Sequence, residues 1–357
     1  MASKIFVEIE VNSDCNSHNE EISEIVKKFL KNKMLRADME FYEDNFRSFP
    51  MRANIRKILI ATDADATFVD QFQLNDYGEN VEYFVYKLNY DDYQHAEITD
   101  EGEMTAIVAS TCFSLPHYAY NKLWENLIYD SNVKNDMLSY CETMVLFSLR
   151  NVDISVITSN RLAMFHGPPG SGKTSLCKAL AQKLSIRLSK YFTKFQLLEI
   201  NSHSLFSKYY SESAKIVMKL FDLLRVILSD SDTLAIVLID EIESLVKNRM
   251  STVASAEPGD SLRVVNAILT QMDSIKTFPN VLVLTTSNMA DQVDPAFMDR
   301  VDFKKFIDIP SEGIVYRILR SCIIELQDKG LVGPGNLDPS TSTANSCIVS
   351  SKLLCLA

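Results

Sequence analysis

The sequence predicts an α/β protein: a parallel sheet with helices on both faces, preceded by a smaller α+β domain and followed by little regular structure. Three observations lead there. Apolar runs of strand length (Leu162 to Phe165, Leu197 to Ile200, Ile236 to Glu241 and Val281 to Asn288) alternate with stretches of helical spacing. The first run opens onto a glycine-rich loop that leads straight into a helical pattern. Two later runs end in polar residues, Asp240-Glu241 and Asn288, and open α/β sheets gather their functional groups at the carboxyl ends of strands.

The smaller domain comes first. Ile5, Val7, Ile9 and Val11 alternate with largely polar neighbours, which predicts a strand with one buried face. Ile22, Ile25, Val26, Phe29 and Leu30 recur at helical spacing, so Glu20 to Lys33 reads as an amphipathic helix. Asn54 to Ala61 and Val81 to Leu88 read as further strands. Asp91 to Glu103 carries six acids and no Lys or Arg, which fits a solvated loop or a docking surface for a basic partner. Pro116 to Leu127 is expected to be helical, with Trp124 in the core, and a helix over Leu127 to Phe147 should feed the central sheet.

The loop itself is Gly167-Pro168-Pro169-Gly170-Ser171-Gly172-Lys173-Thr174, followed by Ser175, and it fits G-x-x-x-x-G-K-[ST]. Glycines let the backbone turn so that its N–H groups face an anion, and the helix start adds partial positive charge. Lys173 would reach the β- and γ-phosphates of a nucleotide, and the Thr174 hydroxyl would bind Mg²⁺. About 65 residues downstream, Asp240 would bind the metal directly or through water, and Glu241 would polarise the attacking water. The competing reading of the loop is a chance glycine-rich turn, and the acids alone would read as a solvated strand end. Together they point to nucleotide hydrolysis.

Three other residues carry two readings each. Asn288 is a strand-end turn former, or its amide orients the water or touches the γ-phosphate. Arg300 pairs locally with Asp299 or Asp302, or it is an arginine finger. His166 packs or hydrogen-bonds beside the loop, or it is a catalyst, and packing is the better reading. Asn151 to Arg161 is expected to line the adenine side, though no motif marks it. Asn248 to Asp260 lacks apolar periodicity and reads as a loop before a helix over Ser261 to Met272.

Composition narrows the class. With 46% hydrophobic and 23% charged residues in 357, the chain reads as an ordinary globular protein of two or three domains. A net charge of −11 argues against a general nucleic-acid or anionic-membrane binder, so neither partner is expected. Seven cysteines without metal-binding spacing point to free thiols in a reducing compartment. The N-terminus does not read as a signal peptide, and no apolar run approaches the length of a membrane span.

In order and spacing, Gly167 to Thr174, Leu238-Ile-Asp-Glu241, Thr285-Thr-Ser-Asn288 and Asp299-Arg-Val-Asp302 resemble the AAA+ ATPases. Ser171 to Leu184, Glu199 to Lys208 and Arg263 to Gln271 are more specifically similar to the pachytene checkpoint ATPase family, closely so from about 123 to 328. The resemblance implies an ATP- and Mg²⁺-dependent homo-hexamer. It would remodel HORMA-domain proteins with a HORMA adaptor, in spindle-checkpoint and meiotic chromosome-axis control, in nucleus and cytoplasm at chromosomes and kinetochores. By motif match, Lys173 and Thr174 belong to Walker A, Asp240 and Glu241 form the Walker B pair, Asn288 is sensor 1 and Arg300 is the finger. Tyr209, with Tyr210 beside it, sits where the family has a substrate-gripping pore loop, and the alternative is that both tyrosines pack on the sheet.

The expected layout is an α+β domain for substrate or adaptor over 1–122, an AAA+ large subdomain over 123–310, a partial lid helix over 311–330 and a divergent, disordered tail over 331–357. Ser311 is the expected N-cap of the lid helix. The family's Gly-Arg sensor 2 motif has no counterpart here, so the lid is expected to be incomplete, as in a shortened splice form, a truncated gene product or a divergent protein. The competing readings are a nucleotide- or substrate-binding protein without turnover and a nucleic-acid-dependent ATPase.

Overall fold

The structure is a computed structural model that describes residues 4–46, 54–62, 71–98, 107–150, 152–153, 156–157, 159–200, 202, 213–246 and 258–333. It contains two sheets. The first has four strands, β1 (Ile5–Val11), β2 (Glu40–Tyr42), β3 (Ile55–Thr62) and β4 (Val81–Lys87), in the order β2-β3-β1-β4. β3 runs antiparallel to β1, and β4 runs parallel to it. Ile5, Val7, Ile9 and Val11 face the helix Asn19–Leu30, whose Ile22, Val26, Phe29 and Leu30 close the small core. Phe29 meets Phe41 and Phe46 edge-on at 5.5 and 5.0 Å, the geometry that ring quadrupoles favour.

The second sheet has seven strands: β5 (Gln94–Ile98), β6 (Ile107–Leu115), β7 (Leu162–His166), β8 (Lys194–Ile200), β9 (Thr233–Ile239), β10 (Val281–Ser287) and β11 (Phe303–Phe306). Their order is β11-β7-β10-β9-β8-β6-β5, and the first five are parallel. Alternate residues feed two cores. Leu162, Met164, Val237 and Val283 pack under the helices Ser213–Leu228 and Pro258–Ile275. Ala163, Phe165, Ile236 and Leu284 pack under Val133–Leu149 and Lys173–Arg187. Burial on both faces is why these strands read as unbroken apolar runs.

Two strands that precede the expected boundary at 122/123 pair with the large sheet. β5 and β6 join the large sheet, β6 antiparallel to β8 and β5 antiparallel to β6, so the small sheet ends at Lys87. Part of the acidic Asp91 to Glu103 stretch is thus an edge strand. Two expected helices also shorten. Lys122 adopts a left-handed φ of 62°, which splits Pro116 to Leu127 into a 3₁₀ turn at Tyr118–Tyr120 and a four-residue helix at Leu123–Asn126. The next helix starts only at Val133, and Trp124 is half-buried at the edge of its core.

The strand with one buried face is corrected as well. On β1 the polar face is also covered, with Glu8 and Glu10 almost wholly buried. The helix Lys173–Arg187 lies between the two bodies and buries Lys183 and Arg187 together with its apolar residues. Glu8 accepts from Lys183 Nζ at 2.6 Å and Arg187 Nε at 3.1 Å, Lys183 also pairs with Glu125 at 2.9 Å, and the Arg187 guanidinium lies 3.5 Å from the Phe6 ring centroid.

Helix Glu312–Asp328 follows the sheet, with Ile314 its one buried residue. Ser311 stands at its N-cap position without capping it. Its hydroxyl donates to Asp130, whose carboxylate also takes the Ser311 N–H at 3.0 Å. Helix Pro258–Ile275 takes in the last three residues of the loop expected over Asn248 to Asp260. The rest of that loop and all but 331–333 of the tail lie outside the described residues. No described helix is long and apolar enough to cross a membrane, and Cys15, Cys112, Cys141, Cys177 and Cys322 are free thiols.

Candidate active site

Three parallel strands deliver the site at their carboxyl ends. β7 ends at His166 and passes into the loop, β9 ends at Ile239 before Asp240 and Glu241, and β10 ends at Ser287 before Asn288. β10 pairs with both others, so the loop, the acids and the amide stand side by side. They enclose a cavity of about 350 Å³ lined by Lys173, Thr174, Asp240, Glu241, Thr286 and Asn288 together with loop residues.

Two glycines are required by their surroundings. Gly172 has φ +87°, and an added Cβ would press on the Tyr129 hydroxyl at 3.1 Å. Gly167 has φ +148°, and its Cβ would lie 2.1 Å from the Ile307 carbonyl oxygen, in the segment where Ile307 N–H bonds His166 O at 2.8 Å. Gly167→Ala must therefore push β11 away from β7. We expect it to cost about 3 kcal/mol, read as a lower denaturation midpoint, and to weaken nucleotide binding with it.

Lys173 Nζ donates to Gly167 O at 2.9 Å and Pro168 O at 2.7 Å, which curls the ammonium over the loop. Burial lowers its pKa from 10.5 against the pull of Glu243, Asp240 and Glu241. Thr174 Oγ1 donates to Asp240 Oδ1 at 2.8 Å, so hydroxyl and carboxylate converge on one point. Asn288 Nδ2 donates to Glu241 Oε1 at 3.2 Å, which joins the amide to the acid expected to act on water. Glu241 itself turns at φ 52°, an uncommon conformation for a residue with a side chain and one that clusters at functional sites.

The structure therefore brings Lys173, Thr174, Asp240, Glu241 and Asn288 together. Arg300 is not among the residues that line this cavity. Its Nε and Nη2 grip the Asp273 carboxylate at 3.0 and 2.7 Å, and Nη1 donates to Ala296 O at 2.6 Å. The expected partners Asp299 and Asp302 are thus replaced by an acid on helix Pro258–Ile275, and the Arg300 guanidinium holds the Asp273 carboxyl down at about 2. Asp302 is engaged elsewhere, accepting from the backbone of Asn160 at 2.7 Å and of Leu162 at 3.3 Å. His166 packs on Phe306 with ring centroids 5.4 Å apart, and burial lowers its pKa, as the packing reading expects. Tyr209 and Tyr210 lie outside the described residues.

The described residues of Asn151 to Arg161 do not line the site. Arg161 precedes the first residue of β7, whereas the loop follows the last, so Val152, Asp153, Ile157, Ser159 and Arg161 sit at the opposite end of the sheet around a separate cavity of about 390 Å³. The space beside Gly170 to Gly172 is instead a cavity of about 450 Å³ walled by Leu127, Ile128, Tyr129, Ile307, Ile309 and Ile318. Sequence reasoning missed it because its walls come from a loop, a strand end and the last helix, with no shared motif. It also missed Glu243, which accepts the Asn288 N–H at 2.9 Å, and Thr286.

The comparisons with known proteins agree with this layout. The model of the AAA family, described as "ATPase family associated with various cellular activities", matches residues 163–309. Over 334 residues the chain is 41% identical to the chicken (Gallus gallus) "Pachytene checkpoint protein 2 homolog", spanning 93% of this chain and 76% of that protein. The chain belongs to the pachytene checkpoint protein 2 family of AAA ATPases. The solved "Structure of C. elegans PCH-2" covers 99% of this chain and 87% of that one, at 34% identity and a TM-score of 0.75. A chain of the "Structure of E. coli MS115-1 HORMA:CdnC:Trip13 complex" shares the fold at 18% identity and a TM-score of 0.52.

Membership in an AAA ATPase family makes a nucleotide with its metal ion the expected occupant, and the residues fit one. A side chain at Gly167 or Gly172 would press on Ile307 or Tyr129, and Thr174 and Asp240 offer two hard oxygen donors within 2.8 Å of each other. Among the described residues no cluster of three His, Cys, Asp or Glu could hold a metal alone.

Proposed function

We propose that this chain hydrolyses ATP with Mg²⁺ and uses the energy to remodel HORMA-domain proteins, working as a ring of six copies with a HORMA adaptor. The observation that carries the hydrolytic part is the Asn288–Glu241 contact beside the Thr174–Asp240 pair. Thr174 and Asp240 would hold the metal, which supplies charge neutralisation on the phosphates. Lys173 leaves its loop carbonyls for the phosphate oxygens. Glu241 accepts the proton of the attacking water, and Asn288 keeps that carboxylate aimed. The apolar walls of Leu127, Ile128 and Ile307 would take the base.

The remodelling part has three supports: the family, the bacterial HORMA:CdnC:Trip13 complex with a chain of the same fold, and the tyrosines of 209 and 210 as candidate grips. Spindle-checkpoint and meiotic chromosome-axis roles, and a location in nucleus and cytoplasm, follow the same family reading. Arg300, held by Asp273 away from its own cavity, fits a finger for a neighbouring copy.

The test is ATP turnover per subunit across a range of protein concentrations, with Arg300→Ala beside it. Shared sites make the rate per subunit rise with concentration, and the variant should lose about 10³-fold in turnover while still binding nucleotide. A rate per subunit independent of concentration, or an active variant, would refute the shared site. Nucleotide binding without any turnover would mark a binding protein instead.

A further inference from the structure

Thr286 stands on β10 two residues before Asn288, and its side chain is almost fully buried. Its hydroxyl is used twice. Glu241 N–H donates to Thr286 Oγ1 at 3.0 Å, and the Thr286 hydroxyl donates to Asp240 Oδ1. The directions are fixed, since an amide can only donate and an ionised carboxylate can only accept. A hydroxyl is the smallest side-chain group that serves both at once. Thr285 does not duplicate it, because its hydroxyl turns to Ala163 O at 3.3 Å on β7.

The bonds matter because of what they hold. Glu241 turns with a left-handed φ of 52°, and its amide at that turn needs an acceptor. Asp240 Oδ1 also accepts from Thr174 at 2.8 Å, but Thr174 is the hydroxyl expected to serve the metal. Thr286 has no second task in the site, so it is the carboxylate's standing donor.

We propose that Thr286 is a positioning residue for hydrolysis, its hydroxyl tying Asp240 and Glu241 to the strand that carries Asn288. The acidic turn and the sensor amide then keep one relative position. This deepens the ATPase reading and rests on it for the kinetic part alone.

The test compares Thr286→Val, which keeps the shape and removes the hydroxyl, with Thr286→Ser, which keeps the hydroxyl. For the valine variant we expect kcat to fall about 10- to 100-fold, the size of one lost bond to a charged group, with KM for ATP within about 3-fold. ADP binding in EDTA should not change, and the Glu241 amide should exchange with deuterium at least about tenfold faster. The serine variant should match the wild type in all four measurements. A valine variant as active as the wild type, or a serine variant as impaired as valine, overturns the proposal. So does loss of metal-free ADP binding in the valine variant, which would mean that the site has collapsed. If the valine variant does not fold, slow Glu241 exchange in the wild type and the serine variant still supports the tie, and exchange at the rate of a free amide refutes it. A wild type without turnover would sink the ATPase reading, while the exchange measurement would still decide the role of Thr286.

Discussion

Glu241→Gln should stop hydrolysis and leave nucleotide bound. The substitution keeps the shape of the side chain, so the left-handed turn, the Glu241 N–H bond to Thr286 and the Asn288 contact can all persist. What disappears is a base. General-base assistance contributes about 10²- to 10⁴-fold, so kcat should fall by that factor with little change in nucleotide affinity. The loop, Lys173 and Thr174, which would hold the nucleotide's phosphates and metal, are untouched. Single-turnover hydrolysis measured beside equilibrium binding of a fluorescent ATP analogue checks both halves. Equal loss of both would mean that Glu241 shapes the site rather than acting on water.

That separation can be foreseen because this site is written in short, local patterns. Gly167 to Thr174 specifies its own turn, and the strand tips at Asp240 and Asn288 follow from apolar runs that end in polar residues. Each of those signals lies within one segment. What the sequence hid depends on pairing between segments. Nothing local marks β5 and β6 as members of the large sheet, because an antiparallel strand added at an edge is read only through its partner. The 450 Å³ cavity gathers residues from three distant stretches. Arg300 chose Asp273 over the adjacent Asp299 because the helix Pro258–Ile275 brings that carboxylate into bidentate reach. Glu8 reads as a solvent-facing strand residue until the buried helix Lys173–Arg187 is laid against it.

Glu8→Ala should cost more stability than any other single charge removal in the small domain. Its carboxylate and the heads of Lys183 and Arg187 are all but sealed from water. Removing it strands Arg187 against the Phe6 ring and leaves Lys183 with Glu125 alone. Breaking a buried pair from one side typically costs about 3–5 kcal/mol, because the remaining charge keeps its desolvation penalty. The expected result is a lower urea midpoint, with the small sheet releasing before the large one. Pairing Glu8→Leu with Arg187→Met should recover part of the loss, since the guanidinium that Glu8 pairs is then removed with it while Lys183 keeps Glu125. The pH dependence has a defined sign. Burial alone would raise the Glu8 carboxyl, but Lys183 and Arg187 outweigh it and hold the pKa below 4.5. The contribution is therefore complete above the unfolded value of 4.5 and lost as pH falls through the lower folded value. The site lies at the other end of the same helix. Lys173 opens it and Arg187 closes it, about 21 Å apart at 1.5 Å per residue. A rigid helix with phosphate chemistry at one end and the small domain ion-paired at the other ties the placement of that domain to the nucleotide loop. Nucleotide should then shift the first urea transition of the wild type and leave that of Glu8→Ala unmoved. Equal shifts in both would show that the two ends act independently.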